Sequence, residues 1–228
     1  MTYFKGTDKA HYVSRMFAEI APKYDLLNSI MTGGLHHRWR KTASNLIATG
    51  LTGPSLDVAS GTGDFAFALA AQPSMNPVIG VDYVREMVLL ANAKAGKKDK
   101  RITSRKVSLA VADALNLPFK SSKFACVTIG FGLRNLVDVE KGLTELHRVL
   151  EPGGKVAVLE MTQVPSPLLW KWIFRWYFRN VTPILGAVFA GNWRAYSYLP
   201  KSVDWFPAAE ELKILMEQAG FHNVTYKY

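Results

Sequence analysis

The sequence predicts an α/β protein built around a doubly wound, mostly parallel sheet. From residue 55 onwards, short apolar segments of strand length alternate with helical stripes, and a glycine-rich turn follows the first apolar segment. This alternation is typical of parallel βαβ units with helices on both faces of one sheet. The predicted strands are 55–58, 78–81, 107–111, 125–129 and 156–159.

Helices are predicted wherever apolar residues recur at the spacing of one helical face. The stripes are Val13, Met16, Phe17 and Ile20; Trp39, Ala43, Leu46 and Ile47; Val84, Met87, Val88 and Ala91; Val139, Leu143, Leu146 and Leu150; and Leu212, Leu215, Met216 and Ala219. We expect Trp39 to pack in the core and Gly220 to end the last helix. Residues 221–228 are typical of one further strand.

These elements predict a single domain with four parts. Residues 1–50 form a helical N-terminal lid, and residues 51–162 form the ligand-binding core. Residues 163–206 form a helical insertion rich in aromatic residues, and residues 207–228 complete the core with a helix and a strand.

Composition narrows the class of protein. Hydrophobic residues make up 49% of the 228 residues and charged residues 20%, which is typical of a globular chain. The single Cys126 excludes an intrachain disulfide and favours a reducing compartment. The histidines lack the spacing of zinc ligands, so we predict no metal site. Without an apolar signal-peptide core or an uncharged run of roughly 20 residues, we expect a cytoplasmic chain that does not span a membrane.

The formal net charge of +10 needs a physical explanation. A basic run contributes much of it: Lys94, Lys97, Lys98, Lys100, Arg101, Arg105 and Lys106. Most runs of this kind are solvated loops. Nucleic acid and an anionic lipid surface are the functional alternatives, and charge alone does not decide between them.

The glycine-rich turn from Ser60 to Asp64 is the main candidate for a ligand site. Gly61 and Gly63 let the backbone approach a ligand closely, at the edge of the sheet where open α/β proteins bind ligands. Asp82, at the end of the next strand, is placed to accept hydrogen bonds from a ribose diol. These features fit a dinucleotide and S-adenosylmethionine equally well.

Two acidic positions favour S-adenosylmethionine. Asp57 lies inside the first strand, where its carboxylate would repel a pyrophosphate but attract a sulfonium and an ammonium. Asp113 and Ala114 follow the third strand, where they can hold an adenine ring. Asp82 or Asp113 alone could instead cap a helix. Together they predict a class I S-adenosylmethionine-dependent methyltransferase.

Longer motifs resemble the ubiquinone/menaquinone biosynthesis C-methyltransferase family. They are Tyr24 to Asn28 with Thr32, His36 and Trp39; Phe131 to Asn135; Arg148 to Gly154 with Glu160; and Tyr198 to Val203. The resemblance spans roughly residues 13–228, with Leu27, Thr32, Thr162 and Glu151 as mild departures. The family usually continues past the equivalent of Tyr228 into a final strand, so we expect a truncated sheet.

The resemblance implies cofactor contacts at Thr62, Asp82, Asp113 and Ala114, to which we add Gly61 and Gly63 of the turn and Tyr24 of the lid. It implies a demethylated polyprenyl quinol as substrate, methylated on a ring carbon. Demethylmenaquinol is preferred on overall likeness, and the ubiquinone-pathway benzoquinol is the alternative. A nucleic-acid methyltransferase and a non-enzymatic scaffold are more distant alternatives.

Ring methylation needs a nucleophilic carbon, which an adjacent phenolate provides. Arg134, after the fourth strand, is the candidate cation that stabilises this phenolate; the alternative is a loop arginine tied to a carboxylate. His36 is the candidate proton acceptor, although a lone histidine near a helix start is more often structural.

The insertion predicts contact with lipid. Its aromatic residues Trp170, Trp172, Phe174, Trp176, Tyr177 and Phe178 alternate with Lys171, Arg175 and Arg179. This composition suits a surface facing the membrane or a groove for the isoprenoid tail, and core packing is the ordinary alternative. With the net charge, it predicts peripheral attachment at the anionic inner face of the membrane; no nucleic-acid partner is expected, and a homodimer is a possible assembly.

Overall fold

The computed structural model describes residues 6–97, 107–163, 176–187 and 192–228. Five parallel strands form one sheet in the order β3-β2-β1-β4-β5. The strands are β1 (Gly53–Val58), β2 (Met75–Asp82), β3 (Val107–Val111), β4 (Phe124–Gly130) and β5 (Leu150–Leu159). All five predicted strands are therefore confirmed, and the order reverses at β1 as in a doubly wound fold.

Helices surround this sheet and precede it. They are α1 (Thr7–Ile20), α2 (Tyr24–Thr32), α3 (Leu35–Ala48), α4 (Asp64–Ala70), α5 (Arg85–Lys97), α6 (Val139–Val149), α7 (Thr182–Leu185), α8 (Trp193–Trp205) and α9 (Ala209–Gln218). Short 3₁₀ helices cover Ala21–Lys23 and Leu133–Asn135, and a π-helical segment covers Tyr177–Val181. Within the described ranges, none of these helices has the length and hydropathy needed to cross a bilayer.

The two faces of the sheet carry separate cores because side chains alternate along each strand. Leu56 and Val58 of β1 face the layer of α6 and α9, in a cluster with Leu143 and Met216. The opposite face packs against α3 and α4; its buried side chains include Ile47, Ala66, Leu69, Val78 and Cys126. The Cys126 thiol lies 3.4 Å from the carbonyl oxygen of Ile47, and burial raises its pKa to about 11.

The N-terminal helices differ partly from prediction. The α1 stripe is confirmed, with Val13, Met16 and Ile20 buried. The predicted stripe of α3 is wrong, because Trp39 and Leu46 are 39% and 57% exposed. The buried side of α3 is instead mostly polar and consists of His36, Arg40, Ser44, Ile47 and Ala48. A hydrogen bond between His36 and Arg40 satisfies two of these polar groups, so the buried side lacks the apolar pattern that the prediction required.

The C-terminal segment also departs from prediction. Helix α9 forms as expected, and Gly220 follows it at a φ of 103°. Residues 221–228 do not form a strand, because no described segment pairs with them. A strand requires ladder hydrogen bonds to a neighbour, and the sheet ends at β5 among the described residues.

The described parts of the insertion are helical, as predicted. Trp176 is 61% exposed, whereas Phe178 is buried. Trp170, Lys171, Trp172, Phe174 and Arg175 lie outside the described residues, as do Lys98, Lys100, Arg101, Arg105 and Lys106 of the basic run. Lys94 of that run is not a solvated loop residue, because it lies on α5 and forms ion pairs.

Candidate active site

The glycine-rich turn connects β1 to α4 at the carboxyl edge of the sheet. Gly61 and Gly63 have φ values of 54° and 85°, in the left-handed region that favours glycine. A Cβ on Gly63 would lie 2.9 Å from the ring of Phe67, so the turn packs directly on α4. Glycine at position 63 is therefore required both by its left-handed backbone and by this close packing.

Asp82 fixes this turn from the end of β2. Its Oδ2 accepts a hydrogen bond from the Gly61 amide at 2.7 Å, and its Oδ1 accepts from the Val84 amide at 2.8 Å. Burial raises the pKa of the Asp82 carboxyl, while the backbone amides act in the opposite direction. The side chain that the sequence places near a ribose therefore also sets the geometry of the glycine turn.

Asp113 and Ala114 lie beside Asp82 because β2 and β3 are parallel neighbours. The Ala112 amide donates to the backbone oxygen of Asp82 at 3.0 Å, which brings the two strand ends together. Asp113 is exposed and Ala114 is buried. Asp113 Oδ1 accepts from the Leu115 amide at 2.9 Å, so the side chain also stabilises its own turn.

Asp57 is a buried carboxyl group at the end of β1. Its Oδ1 accepts a hydrogen bond from the Thr128 hydroxyl at 2.7 Å, whereas its buried Oδ2 has no hydrogen-bond partner among the described residues. Burial raises the pKa of Asp57 to about 7, and the Thr128 hydroxyl, the charge of Arg40 and the backbone amide of Ala66 partly oppose that rise. Asp57 is thus poised to change charge near neutral pH.

Asp57 borders a cleft beside the glycine turn. The space between its walls is about 280 Å³, including solvent at the mouth. The lining residues are Tyr24, Arg40, Asp57, Ala59, Ser60, Gly61, Thr62, Asp64, Phe65 and Gly130. The structure therefore brings Tyr24, Gly61 and Thr62 of the predicted cofactor residues to one cleft, with Gly63, Asp82 and Asp113 along the same edge of the sheet.

The start of α2 covers the turn through a polar network. Asp25 Oδ1 accepts from the Thr62 hydroxyl at 2.5 Å, and Asp25 Oδ2 lies 2.7 Å from Lys94 Nζ. Lys94 Nζ also lies 2.5 Å from Asp64 Oδ1. The sequence suggested a lid at Tyr24 and Asp25, but it carried no signal that Lys94 fastens this lid to α4.

His36 does not fit the predicted role of proton acceptor. It is 1% exposed, and Arg40 Nη1 donates to its Nδ1 at 2.6 Å. Its Nε2 then carries the proton and faces Ser29 Oγ at 3.2 Å. Burial, followed by the charges of Arg40 and His37, lowers the His36 pKa to about 4. Both ring nitrogens have partners and the base is weak, so this geometry favours a structural role for His36.

His36, His37 and Asp64 also form a group whose potential metal-ligand atoms lie within 4.8 Å of one another. Two cations already occupy this group, since Arg40 binds His36 and Lys94 binds Asp64. A divalent cation would be repelled by both of them. We therefore assign no metal to the group, and the predicted lack of a metal site stays a prediction.

Arg134 is buried and paired with a carboxylate. Its Nη1 lies 2.5 Å from Glu160 Oε2, and both side chains are less than 5% exposed. Its Nη1 also donates to the Phe131 carbonyl at 3.0 Å, and its Nε donates to Ser202 Oγ at 3.2 Å. Arg134 is thus an arginine tied to a carboxylate, which is the alternative to the predicted role of stabilising a phenolate. The charge expected to stabilise a phenolate is already compensated by Glu160.

The turn that contains Arg134 joins distant parts of the chain. Lys9 Nζ of α1 donates to the Leu136 carbonyl at 2.5 Å. Tyr198 of α8 donates its hydroxyl to Asn135 Oδ1 at 3.3 Å. The Leu133–Asn135 turn therefore holds α1, β5 and α8 around the tip of β4.

Arg148, from the second predicted signature, is structural. It binds both carboxylate oxygens of Glu145 and donates to the carbonyls of Leu117 and Phe119 at 3.0 and 2.7 Å. These contacts fasten the segment after β3 to α6, away from the cleft.

Comparisons with known proteins decide the family. The model of the ubiE/COQ5 methyltransferase family matches residues 5–228. The chain belongs to this family. It is 41% identical over 221 residues to the ubiquinone/menaquinone biosynthesis C-methyltransferase UbiE of Geobacter sp. (strain M21), covering 96% of this chain and 92% of that protein. It is 44% identical over 212 residues to the demethylmenaquinone methyltransferase of Thermus thermophilus, covering 93% of each.

Solved structures agree on the fold of this ubiE/COQ5 family member. A SAM-dependent methyltransferase from Thermotoga maritima superposes with a TM-score of 0.58 at 22% identity, covering 92% of this chain and 81% of that one. A putative methyltransferase of Haloferax volcanii gives a TM-score of 0.62 at 20% identity, covering 90% and 76%. The predicted class I methyltransferase fold is confirmed, and the chain is a methyltransferase.

Proposed function

We propose that this methyltransferase transfers a methyl group from S-adenosylmethionine to a ring carbon of a polyprenyl quinol, converting demethylmenaquinol to menaquinol. Relatives with both kinds of name, ubiquinone/menaquinone and demethylmenaquinone, support the quinol class. Demethylmenaquinone methyltransferases of Thermus thermophilus and Deinococcus radiodurans, 44% and 42% identical, favour the menaquinone precursor. The ubiquinone-pathway benzoquinol is the alternative substrate.

The observation that carries the cofactor assignment is the unsatisfied Asp57 carboxylate. A fully buried carboxylate oxygen without a donor costs free energy unless the group is protonated or a ligand completes it. A cationic ligand fits this requirement, and an anionic pyrophosphate does not. The acids Asp82 and Asp113 lie at the same edge of the sheet, so the residues present fit S-adenosylmethionine, which supplies an electrophilic methyl group on a sulfonium.

The proposed cofactor contacts are distributed over three strand ends. The glycine turn, with the Thr62 backbone, and the ring of Tyr24 enclose one end of the ligand. Asp82 retains lone pairs for ribose hydroxyls beyond the two amides it already accepts. Asp113 and Ala114 contact the base. The Asp25–Thr62 hydrogen bond holds the lid closed and keeps water from the reacting atoms.

The role predicted for Arg134, stabilisation of a substrate phenolate by its charge, does not fit its pairing with Glu160. We propose Arg134 as a positioning residue, because Glu160 compensates its charge. It holds the Phe131 carbonyl and Ser202 of α8, and thereby sets the wall of the cleft formed by the β4 tip. His36 has no part in the proton transfer.

The substrate class supports a peripheral membrane location. A polyprenyl quinol resides in the bilayer, and a chain with a net charge of +10 is attracted to an anionic leaflet. We propose attachment at the cytoplasmic face of the membrane, without a nucleic-acid partner. Lys94 of the basic run is engaged with Asp25 and Asp64 rather than free for phosphates.

Two measurements test this proposal. Calorimetry with S-adenosylmethionine and S-adenosylhomocysteine should detect binding of both, and NAD should not bind. A methylation assay should then give product with demethylmenaquinol, less with the ubiquinone precursor and none with tRNA. Methylated tRNA or uptake of NAD would contradict the proposal.

A further inference from the structure

An exposed apolar stripe runs along α3. Leu35, Trp39 and Leu46 are 49%, 39% and 57% exposed, and they lie with exposed Thr42 at positions i, i+4, i+7 and i+11. This spacing places them on one helical line, away from the buried side that carries His36 and Arg40. A line of large apolar side chains in water is unusual enough to indicate a contact surface.

The surroundings of this stripe are cationic. Arg38 and Lys41 are exposed on α3, and Lys155 Nζ lies 2.7 Å from the Thr49 carbonyl just beyond its end. The sequence contains a single acid, Asp25, between Glu19 and Asp57. Asp25 is engaged by Lys94 and Thr62, so its charge is compensated.

The stripe leads to the candidate active site. The Trp39 ring lies 6.4 Å from the ring of Phe131, centroid to centroid. Phe131 follows Gly130, which lines the cleft, and the Arg40 guanidinium lies 5.2 Å above the Phe131 ring. An apolar path therefore connects the surface of α3 with the tip of β4.

We propose that the α3 stripe is the surface that docks on an anionic bilayer, and that it presents the mouth of the cleft to the membrane. Apolar side chains flanked by cations fit the boundary between headgroups and acyl chains. A second copy of the chain is a poorer occupant, because it would bring like charges together. This inference rests on the proposed function, since only a substrate in the bilayer needs the mouth to face lipid.

Vesicle co-sedimentation tests the surface. The wild-type chain should bind vesicles of phosphatidylcholine mixed with phosphatidylglycerol more strongly than vesicles of phosphatidylcholine alone. Leu46→Ser should weaken binding about tenfold, because a partly buried aliphatic side chain is lost from the interface. Ile214→Ser is the matched control: Ile214 is 47% exposed on α9, in the layer on the opposite face of the sheet. It should change binding less than about twofold.

Charge variants provide a second measurement. Arg38→Gln and Lys41→Gln should each reduce the preference for anionic vesicles about fivefold. Equal losses from Leu46→Ser and Ile214→Ser, or failure of the wild-type chain to bind either vesicle, would overturn the inference. So would a dimer in sedimentation velocity that Leu46→Ser dissociates, because the stripe would then be a contact between copies.

A water-soluble quinol with a short side chain separates this inference from the proposed function. Leu46→Ser should methylate that quinol at the wild-type rate and lose activity only with a polyprenyl quinol in vesicles. If the wild-type chain methylates neither quinol while vesicle binding follows the stripe, the proposed function fails and the docking surface stands. If Leu46→Ser retains full activity on the vesicle substrate, the docking surface fails and the function stands.

Discussion

Lys94 Nζ lies 2.7 Å from Asp25 Oδ2 and joins the end of α5 to the start of α2, across 69 residues of sequence. Because the same ammonium binds Asp64, this single side chain closes the N-terminal lid over the glycine turn.

Lys94→Gln should therefore loosen the lid without unfolding the core. We expect faster hydrogen exchange over α2, unchanged exchange in β1, and roughly a fivefold loss of S-adenosylmethionine affinity, since partly exposed ion pairs contribute on the order of 1 kcal/mol. Lys213→Gln is the matched control, because Lys213 pairs loosely with Glu210 and Glu217 at 3.9 and 4.0 Å. Similar exchange in the two variants would argue against the lid.

Asp57→Asn should separate the effect of the buried carboxyl on the free energy of unfolding from its effect on cofactor binding. The folded pKa of about 7 lies above that of the unfolded chain, so Asp57 ionises at increasing cost as pH rises from about 4 to 7. The variant should be more stable than the wild type above about pH 8, by on the order of 4 kcal/mol, with the difference vanishing near pH 4. Urea unfolding at several pH values measures this.

The same substitution should weaken binding of S-adenosylmethionine, because the carboxylate that completes its charge is lost. Calorimetry at neutral pH would show the loss in affinity. Unchanged affinity, together with the gain in stability, would remove Asp57 from the cofactor site.

His36→Gln should reduce the loss in the free energy of unfolding that the wild type shows as the pH falls. The folded pKa of about 4 lies below the unfolded value, so the unfolded chain binds the extra proton and the wild type loses stability as pH falls from about 6.5 to 4. We expect this loss, on the order of 2 kcal/mol, to be mostly absent in the variant. His222→Gln, at an exposed position, should behave like the wild type. A hundredfold fall in kcat would instead restore His36 as a catalytic base.

Glu160→Gln should leave the Arg134 charge buried without a partner. We expect a loss of about 3 kcal/mol in the free energy of unfolding, because a buried ion pair is costly to break from one side. The double variant Glu160→Gln, Arg134→Met should recover part of that stability while methyl transfer stays low. Full activity in the double variant would contradict a positioning role for Arg134.

The fold was largely predictable because burial produces regular patterns. The strands of the sheet are mostly apolar segments, and the stripe of Val84, Met87, Val88 and Ala91 is buried at all four positions. The apolar stripe predicted for α3 was wrong, because His36, Arg40 and Ser44 occupy the buried side of this helix. Buried polar residues do not follow the apolar periodicity on which the helix prediction rests.

The site was predictable only along the strand ends. Gly61, Asp82 and Asp113 lie together because parallel neighbouring strands must end at one edge, which chain order reveals. The partners of Lys94 and Arg134 come from elements far away in sequence, and ion pairs of this kind follow from packing alone. The ligand-binding edge of the sheet could therefore be predicted from the sequence. The ion pairs of Lys94 with the lid and of Arg134 with Glu160 could not.

The environment of Cys126 makes the chain convenient for site-specific labelling. It is the only cysteine, fully buried beneath α3, and a pKa of about 11 leaves little thiolate at neutral pH. A cysteine introduced at an exposed position would thus be the sole reactive thiol, without removal of the native one. A maleimide fluorophore could then report the depth and orientation of the protein at a lipid surface.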